Sequence, residues 1–121
     1  MVKVVLDTNI LIDFLGGVQQ ARDEIARHRE PAISVISWME VLVGVDPASS
    51  EQTRLFLDSF FIIQLDEVVA TRAVALRRLH RLKIPDAIIR ASADVHSALL
   101  VTRNTKDFPE GSPGIHNPYK V

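Results

Sequence analysis

The chain has 121 residues, of which 47% are hydrophobic and 24% charged, and its formal net charge is −1. This length and composition predict a single globular domain over residues 1–121 and exclude a disordered chain. The lack of cysteine excludes disulfides and thiolate metal sites, and no apolar run reaches the roughly 18 residues of a membrane span. We therefore expect a protein of the cytoplasm that has no membrane contact.

Strands alternate with helices along the predicted chain. The β-branched run before Asp7 is typical of a buried strand, and the Asp-Thr-Asn that ends it is typical of a helix cap. In chain order, we expect strands at residues 2–6, 32–36, 61–65 and 99–102, helices at 10–15, 19–29, 37–44, 51–60, from 66 onward and from 85 to 98, and a short edge strand at 115–116. This alternation predicts a mostly parallel sheet of four to five strands with helices on both faces.

The long helix that opens at Asp66 carries an apolar stripe at helical spacing. The stripe consists of Val69, Ala73, Leu76 and Leu79. We expect this stripe to face the core of the domain. Residues 77–83 form the densest positive charge in the chain, which fits either a solvated helix face or an edge that follows phosphates.

Four acidic residues stand where the predicted pattern changes. Asp7 ends the first strand, Glu40 lies in the apolar helix after the second, Asp86 opens a helix, and Asp107 follows the fourth strand. Because parallel strands bring their ends and the following helix starts to one sheet edge, we expect these carboxylates to meet. Carboxylates about 4 Å apart repel by roughly 4 kcal/mol per pair at an effective dielectric of 20, so such a cluster needs protons or a divalent cation.

The donor chemistry of this set predicts a particular kind of site. Carboxylate oxygens without cysteine favour Mg²⁺ or Mn²⁺ over zinc. Such sites leave room for phosphate oxygens, so the implied chemistry is hydrolysis of a phosphodiester by a metal-activated water.

Each acid also has a purely structural interpretation. Asp7 fits a helix cap, and Ser37 with Glu40 matches a capping box. Glu40 is nevertheless the only charge in an apolar segment, and burying it would require a partner. Asp86 stands at a helix start, where the dipole favours an acid, and Asp107 alone is typical of a surface loop. The metal-site interpretation therefore depends on the set rather than on any single member.

Four motifs follow one another in the order VVLDTNILI (4–12), SWME (37–40), PDAII (85–89) and LVTRNTKDF (100–108). Together with the closing Asn117-Pro118, they resemble the PIN-domain ribonucleases. Their order and spacing are most similar to the VapC-type toxins of bacterial type II toxin–antitoxin pairs. The resemblance covers essentially the whole chain and implies a three-layer α/β/α domain with an acidic site that binds Mg²⁺ or Mn²⁺.

The resemblance also implies roles for individual residues and for partners. The family's catalytic and metal-binding acids fall on Asp7, Glu40, Asp86 and Asp107. Polar positions that support or border the family's site fall on Thr8, Asn9, Thr102 and Asn104. The implied activity is endoribonuclease cleavage of structured RNA. The implied partners are a cognate antitoxin and a second copy of the chain, in a homodimer or a higher toxin–antitoxin assembly.

Several charged residues near these motifs fit more than one role. Arg90 stands where the family has a small residue, and its spacing from Asp86 favours an ion pair, with phosphate or a neighbouring subunit as the alternative. Asp94 fits a solvated acid or a partner of Arg90. Arg103 and Lys106 bracket the end of the fourth strand, and we expect them to hold the RNA backbone.

Two other functions compete with the nuclease. A PIN-like module that binds RNA or protein without cutting would share the fold, although the intact acid set argues against it. A phosphatase that uses Asp7 as its nucleophile is disfavoured, because Asn9 stands where that chemistry usually has a second acid.

Overall fold

A computed structural model describes all 121 residues of the chain. In chain order its elements are β1 (Val4–Leu6), α1 (Thr8–Leu15), α2 (Gln19–Arg27), β2 (Ala32–Ser34), α3 (Val35–Gly44), α4 (Ser50–Asp58), β3 (Phe61–Ile63), α5 (Glu67–His80), α6 (Ile84–Val95), β4 (Leu99–Val101) and β5 (Ile115–His116). None of the helices combines the length and apolar character that crossing a membrane requires.

The five strands form one parallel sheet in the order β3-β2-β1-β4-β5. In the register of the sheet, Val5 of β1 pairs with Ala32 of β2 on one side and with Leu100 of β4 on the other. The predicted edge strand is present, since His116 of β5 pairs with Val101. With β1 at the centre, the residue that follows it lies at the middle of the carboxyl edge, where open α/β sheets bind their ligands.

Alternate residues of the central strand serve two separate cores. Val5 packs with α5 and α6, whereas Val4 and Leu6 pack with α1, α3 and α4 on the opposite face. Successive side chains of a strand point to opposite faces, so a strand buried on both sides is apolar throughout. The three-layer α/β/α arrangement predicted from the sequence is confirmed.

The stripe predicted on α5 is wrong at its last member. Val69, Ala73 and Leu76 are buried, but Leu79 is 73% exposed. The helix ends one residue later, at His80, because Arg81 adopts a left-handed conformation with φ 56°. The chain turns there, and Leu82 fills the core in place of Leu79.

The predicted start of α3 is also wrong. Ser34 caps this helix by accepting a hydrogen bond from the amide of Ile36 (3.1 Å), so the helix begins at Val35. Ser37 is therefore a buried residue inside the helix, and the capping box with Glu40 does not form. Glu40 itself is exposed.

Candidate active site at the carboxyl edge of the sheet

Asp7 occupies the centre of the carboxyl edge. Its backbone amide donates to the carbonyl of Val101 (2.9 Å), which extends the pairing of β1 with β4 by one residue. Its Oδ1 accepts from the amide of Thr8 (2.7 Å), so the side chain also caps α1. The side chain is only 4% exposed. The end of β1 and the start of α1 together fix this carboxylate at the edge of the sheet.

Thr102 and Asn9 hold the second oxygen of Asp7. The Thr102 hydroxyl donates to Asp7 Oδ2 at 2.7 Å, and the Asn9 amide donates to the same oxygen at 3.2 Å. Thr102 is fully buried, and its Oγ1 accepts from Asn9 Nδ2 (3.2 Å) and from the amide of Asn104 (3.0 Å). The donors around Asp7 are all neutral, so they orient the carboxylate without offsetting its charge.

The C-terminal tail in turn holds Thr102. The amide of Thr102 donates to the carbonyl of His116 (3.0 Å), and its carbonyl accepts from the side chain of Asn117 (2.9 Å). Asn117 therefore contacts Thr102, the residue that positions Asp7.

Glu40 joins the site through the first turn of α1. The Thr8 hydroxyl lies 2.7 Å from Glu40 Oε1 and 2.9 Å from the hydroxyl of Ser37. Because the Thr8 hydroxyl has one hydrogen, donation to the carboxylate leaves it to accept from Ser37. Thr8 thus connects α1 with α3, and it orients one oxygen of Glu40.

Asp107 lies in a loop that closes on itself after β4. The side-chain amide of Asn104 donates to Asp107 Oδ2 (3.0 Å), and the backbone amide of Asp107 donates back to Asn104 Oδ1 (3.2 Å). The same asparagine contacts Thr102 through its own amide. The loop therefore ties the position of Asp107 to the residue beside Asp7.

The electrostatic environment of Asp7 is unfavourable for a carboxylate. Burial is the largest cause that raises its pKa, to about 6, and the nearby charges of Asp86 and Glu40 raise it further. The hydrogen bonds from Thr102 and Thr8 act in the opposite direction but are outweighed.

Asp86 lies in the same field. Burial raises the pKa of this carboxyl most, and the charges of Asp107 and Glu40 add to the rise. The ammonium of Lys83, three residues earlier, lowers it in part. The four predicted acids are thus electrostatically linked. The charges of Asp86 and Glu40 act on Asp7, and the charges of Asp107 and Glu40 act on Asp86.

The acidic residues offer oxygen donors suited to a hydrated divalent cation. As arranged, no three His, Asp or Glu side chains converge closely enough to hold an ion by direct contacts alone. Mg²⁺, however, keeps several waters and is commonly bound through one or two carboxylates. The residues present fit such an ion, because they offer only carboxylate and hydroxyl oxygens and their mutual repulsion is poorly offset.

Arg103, which we expected to hold RNA, has a different contact in the structure. Its Nε and Nη2 donate to the two oxygens of Asp13 at 2.7 and 2.9 Å. The hydroxyl of Tyr119 donates to the same carboxylate (2.8 Å). The Arg103 side chain is still 35% exposed in this pairing, so its contact with RNA stays a prediction. Lys106 is exposed in the loop between Asn104 and Asp107.

The pairs predicted for Arg90 do not form. Asp94 pairs with Arg72 of α5, which donates to it from Nε (3.0 Å) and Nη2 (2.9 Å). Arg90 instead lies over the ring of Phe108, with its guanidinium carbon 6.0 Å from the ring centroid. Neither Asp86 nor Asp94 is within ion-pair distance of it.

Two ionic clusters were not predicted from the sequence. One is the Asp13 cluster, in which Arg103 and Tyr119 are 90 and 106 residues from Asp13. The other surrounds the buried Glu24, which contacts Arg27 and His28 and lies 3.7 Å from His116. An acid on the buried face of an amphipathic helix was the available signal in both cases.

Comparison with known proteins places this geometry in a family. The family model described as "PIN domain" matches residues 4–111. Ribonuclease VapC10 of Mycobacterium tuberculosis is 36% identical over 114 residues, which cover 88% of this chain and 86% of that protein.

Solved structures share the whole fold. A chain in the structure "Toxin-antitoxin complex from Klebsiella pneumoniae" is 46% identical with a TM-score of 0.91, and the match covers 98% of this chain and 100% of that one. A chain of FitAcB from Neisseria gonorrhoeae, at 22% identity, shares the fold with a TM-score of 0.80 over 98% of this chain and 99% of its own. The chain therefore belongs to the PIN-domain family, as its motifs predicted.

Proposed function

We propose that this chain is a metal-dependent endoribonuclease, the toxin of a toxin–antitoxin pair, which hydrolyses phosphodiester bonds in structured RNA in the cytoplasm. The observation that carries the proposal is the environment of Asp7. A carboxylate buried among neutral donors and facing other carboxylates is costly for the fold. A divalent cation bound to Asp7 would offset its charge and could at the same time contact a phosphate of the substrate. The relative named a ribonuclease supports the RNA substrate.

Each acid has a role in this proposal. Asp7 and Asp86 bind Mg²⁺ or Mn²⁺ most directly, because they are the two members whose pKa is raised by burial and by neighbouring carboxylates. Asp107 and Glu40 complete the acidic set, through water where their oxygens lie too far for direct contact. When bound, the ion supplies an acidified water and offsets charge on the phosphate.

The supporting residues keep the carboxylates in place. Thr102 and Asn9 fix Oδ2 of Asp7, and Thr8 fixes Oε1 of Glu40. Such supporting contacts to metal ligands are worth about 10–100-fold in affinity or activity. Lys106 is exposed beside Asp107, where it contacts the RNA backbone in this proposal.

The proposal includes protein partners. The chain shares 46% identity and its full length with a chain from a structure described as a toxin–antitoxin complex. A cognate antitoxin would inhibit the nuclease by placing a segment with a basic side chain against the acids. The active form is a homodimer, which the antitoxin joins in a larger assembly.

A comparison of wild type with Asp7→Ala tests the proposal. Inducible expression of the wild type should arrest growth and create new RNA 5′ ends, and the variant should do neither. In a purified reaction, EDTA should stop cleavage, and added Mg²⁺ or Mn²⁺ should restore it. Equal growth arrest by both proteins would rule out a nuclease that depends on Asp7. RNA binding without cleavage under all conditions would favour the silent binding module.

A further inference from the structure

A pocket of about 550 Å³ opens at the amino ends of the strands, across the sheet from the four acids. Lys3 precedes β1, Leu99 begins β4 and Gly114 precedes β5. The remaining wall comes from the second half of α6 and from α5. The pocket is therefore separate from the candidate active site, although α6 extends from one to the other.

The pocket carries more positive than negative charge. Its charged side chains are Lys3, Arg72, Arg90 and Asp94. The single acid already pairs with Arg72. None of the ion pairs of the molecule involves Lys3 or Arg90. Two cations therefore line this concave surface without a carboxylate partner.

Arg90 is the more unusual of the two cations. Its Nε is buried and has no hydrogen-bond partner in the protein. The ring of Phe108 covers its guanidinium at 6.0 Å. Contact with an aromatic face leaves the in-plane N–H groups of an arginine able to bind an acceptor. Because the Nε is shielded from solvent, a phosphate would accept two hydrogen bonds from the Nη groups, which also have no acceptor in the protein.

The position of Arg90 relates the pocket to the proposed substrate. It follows Asp86 by one turn of α6, about 6 Å along the helix axis. If the cleaved phosphate of an RNA strand lies near Asp86, neighbouring phosphates of that strand would lie along this face of α6. Resting on the proposed RNA substrate, we propose that Arg90 and Lys3 bind a backbone phosphate of the RNA at a distance from the cleaved bond.

Arg90 lies outside the set of four acids and lines a pocket that contains none of them. The Arg90 contact would extend the RNA footprint beyond the acids and bias the choice of substrate.

Salt-dependent RNA binding tests the proposal. Cleavage is abolished with Asp7→Asn, and the affinity of this protein for a short single-stranded oligoribonucleotide is measured by fluorescence anisotropy at several salt concentrations. Adding Arg90→Gln should weaken binding and reduce the slope of log K against log salt by about 0.7, the value for one phosphate contact on a single strand. Lys3→Gln, at an exposed position, should have a similar effect.

Matched variants separate a phosphate contact from general charge. Arg22→Gln removes the same charge from an exposed residue that lines neither this pocket nor the one beside Lys3, and it should leave the slope unchanged. Arg90→Lys keeps the charge and should keep most of the slope. An unchanged slope in both Arg90→Gln and Lys3→Gln, or an equal loss in Arg22→Gln, would overturn the proposal.

Titration with inorganic phosphate distinguishes the source of the phosphate group. Binding of free phosphate that depends on Arg90, with an RNA slope that does not, would contradict the RNA assignment. Failure of the wild type to cleave any RNA would refute the nuclease but would leave an Arg90-dependent RNA slope intact. The two proposals therefore fail in different ways.

Discussion

Asp7 and Asp13 lie at opposite ends of the same short helix, and both are buried, with 4% and 8% exposure. Their carboxyls are nevertheless shifted in opposite directions. Burial raises the pKa of Asp7 to about 6, whereas the hydrogen bonds from Arg103 hold the pKa of Asp13 below its usual range. The difference comes from the partners, because Asp7 has neutral donors and acidic neighbours, and Asp13 has a guanidinium and a phenol.

The contrast separates a carboxylate that we propose has a catalytic role from one that stabilises the fold. The charge of Asp13 is neutralised within the fold, where it joins α1 to the loop after β4 and to the C-terminal tail through Arg103 and Tyr119. The charge of Asp7 is not neutralised, so the fold is less stable than it would be with a neutral residue there. That unbalanced charge is what a divalent cation would bind.

Substitution of Asp7 should give the largest separation between activity and stability. We expect Asp7→Asn to lower RNA cleavage by at least about 100-fold, since it removes a proposed metal ligand. The free energy of unfolding without metal should stay equal or increase, because a repelled, desolvated charge is lost. Cleavage rates and urea unfolding in EDTA measure the two effects. A large loss of stability with retained cleavage would contradict the functional assignment of Asp7.

Acidification should stabilise the metal-free protein through Asp7. A pKa raised from 3.8 to about 6 corresponds to a contribution of about 3 kcal/mol to the free energy of unfolding. This contribution is fully present below pH 3.8 and is lost as the pH rises through 6. The wild type should therefore gain stability relative to Asp7→Asn as the pH falls from 7 to 4. Urea unfolding of both proteins in EDTA at several pH values tests this. A constant difference would show that Asp7 titrates normally.

Asp13→Asn should show the opposite pattern. Removing the carboxylate leaves Arg103 without its partner, and we expect a loss of about 2–3 kcal/mol at pH 7 with less than about 10-fold change in cleavage. The lowered pKa of Asp13 means that its contribution is present above pH 3.8 and is lost as the pH falls further. Thermal unfolding between pH 7 and 3 measures it. A cleavage defect as large as that of Asp7→Asn would place Asp13 in the active site.

Local sequence patterns predicted the position of Asp7 at the end of β1. A β-branched strand followed by a capping sequence specified β1, Asp7 and α1, and parallel connectivity placed the other acids at the same edge. The metal role of those acids stays a prediction. The partners of Asp13 had no local signal, since Tyr119 is 106 residues away and ion pairs have no period. The contact of Arg103 with Asp13 was not predicted for the same reason.

Some errors came from treating a local pattern as complete. The apolar run around Glu40 indicated a buried helix, but α3 leaves that side chain exposed and held by Thr8. Similarly, the stripe on α5 continued to Leu79 in sequence, whereas the left-handed Arg81 ends the helix. The exposure of Glu40 depends on how α3 is placed against the sheet, and that of Leu79 depends on where α5 ends. Periodicity in the sequence specifies neither.

Removal of the hydrogen bond between Tyr119 and Asp13 should have the smallest effect on stability. Tyr119→Phe removes the hydroxyl that donates to Asp13 Oδ2 but keeps the pair with Arg103. We expect a loss of about 1 kcal/mol, because one hydrogen bond to a partly buried carboxylate is removed. Cleavage should be unchanged, since the hydroxyl contacts none of the four acids.

A double-mutant cycle shows whether that hydroxyl acts through the carboxylate. In the Asp13→Asn background, Tyr119→Phe should cost much less than in the wild type, because the charge that strengthened the bond is already absent. Equal costs in both backgrounds would mean that the Tyr119 hydroxyl stabilises the tail independently of the charge of Asp13. In that case the low pKa of Asp13 would depend on Arg103 only, and the contrast with Asp7 would reduce to the presence of a single guanidinium.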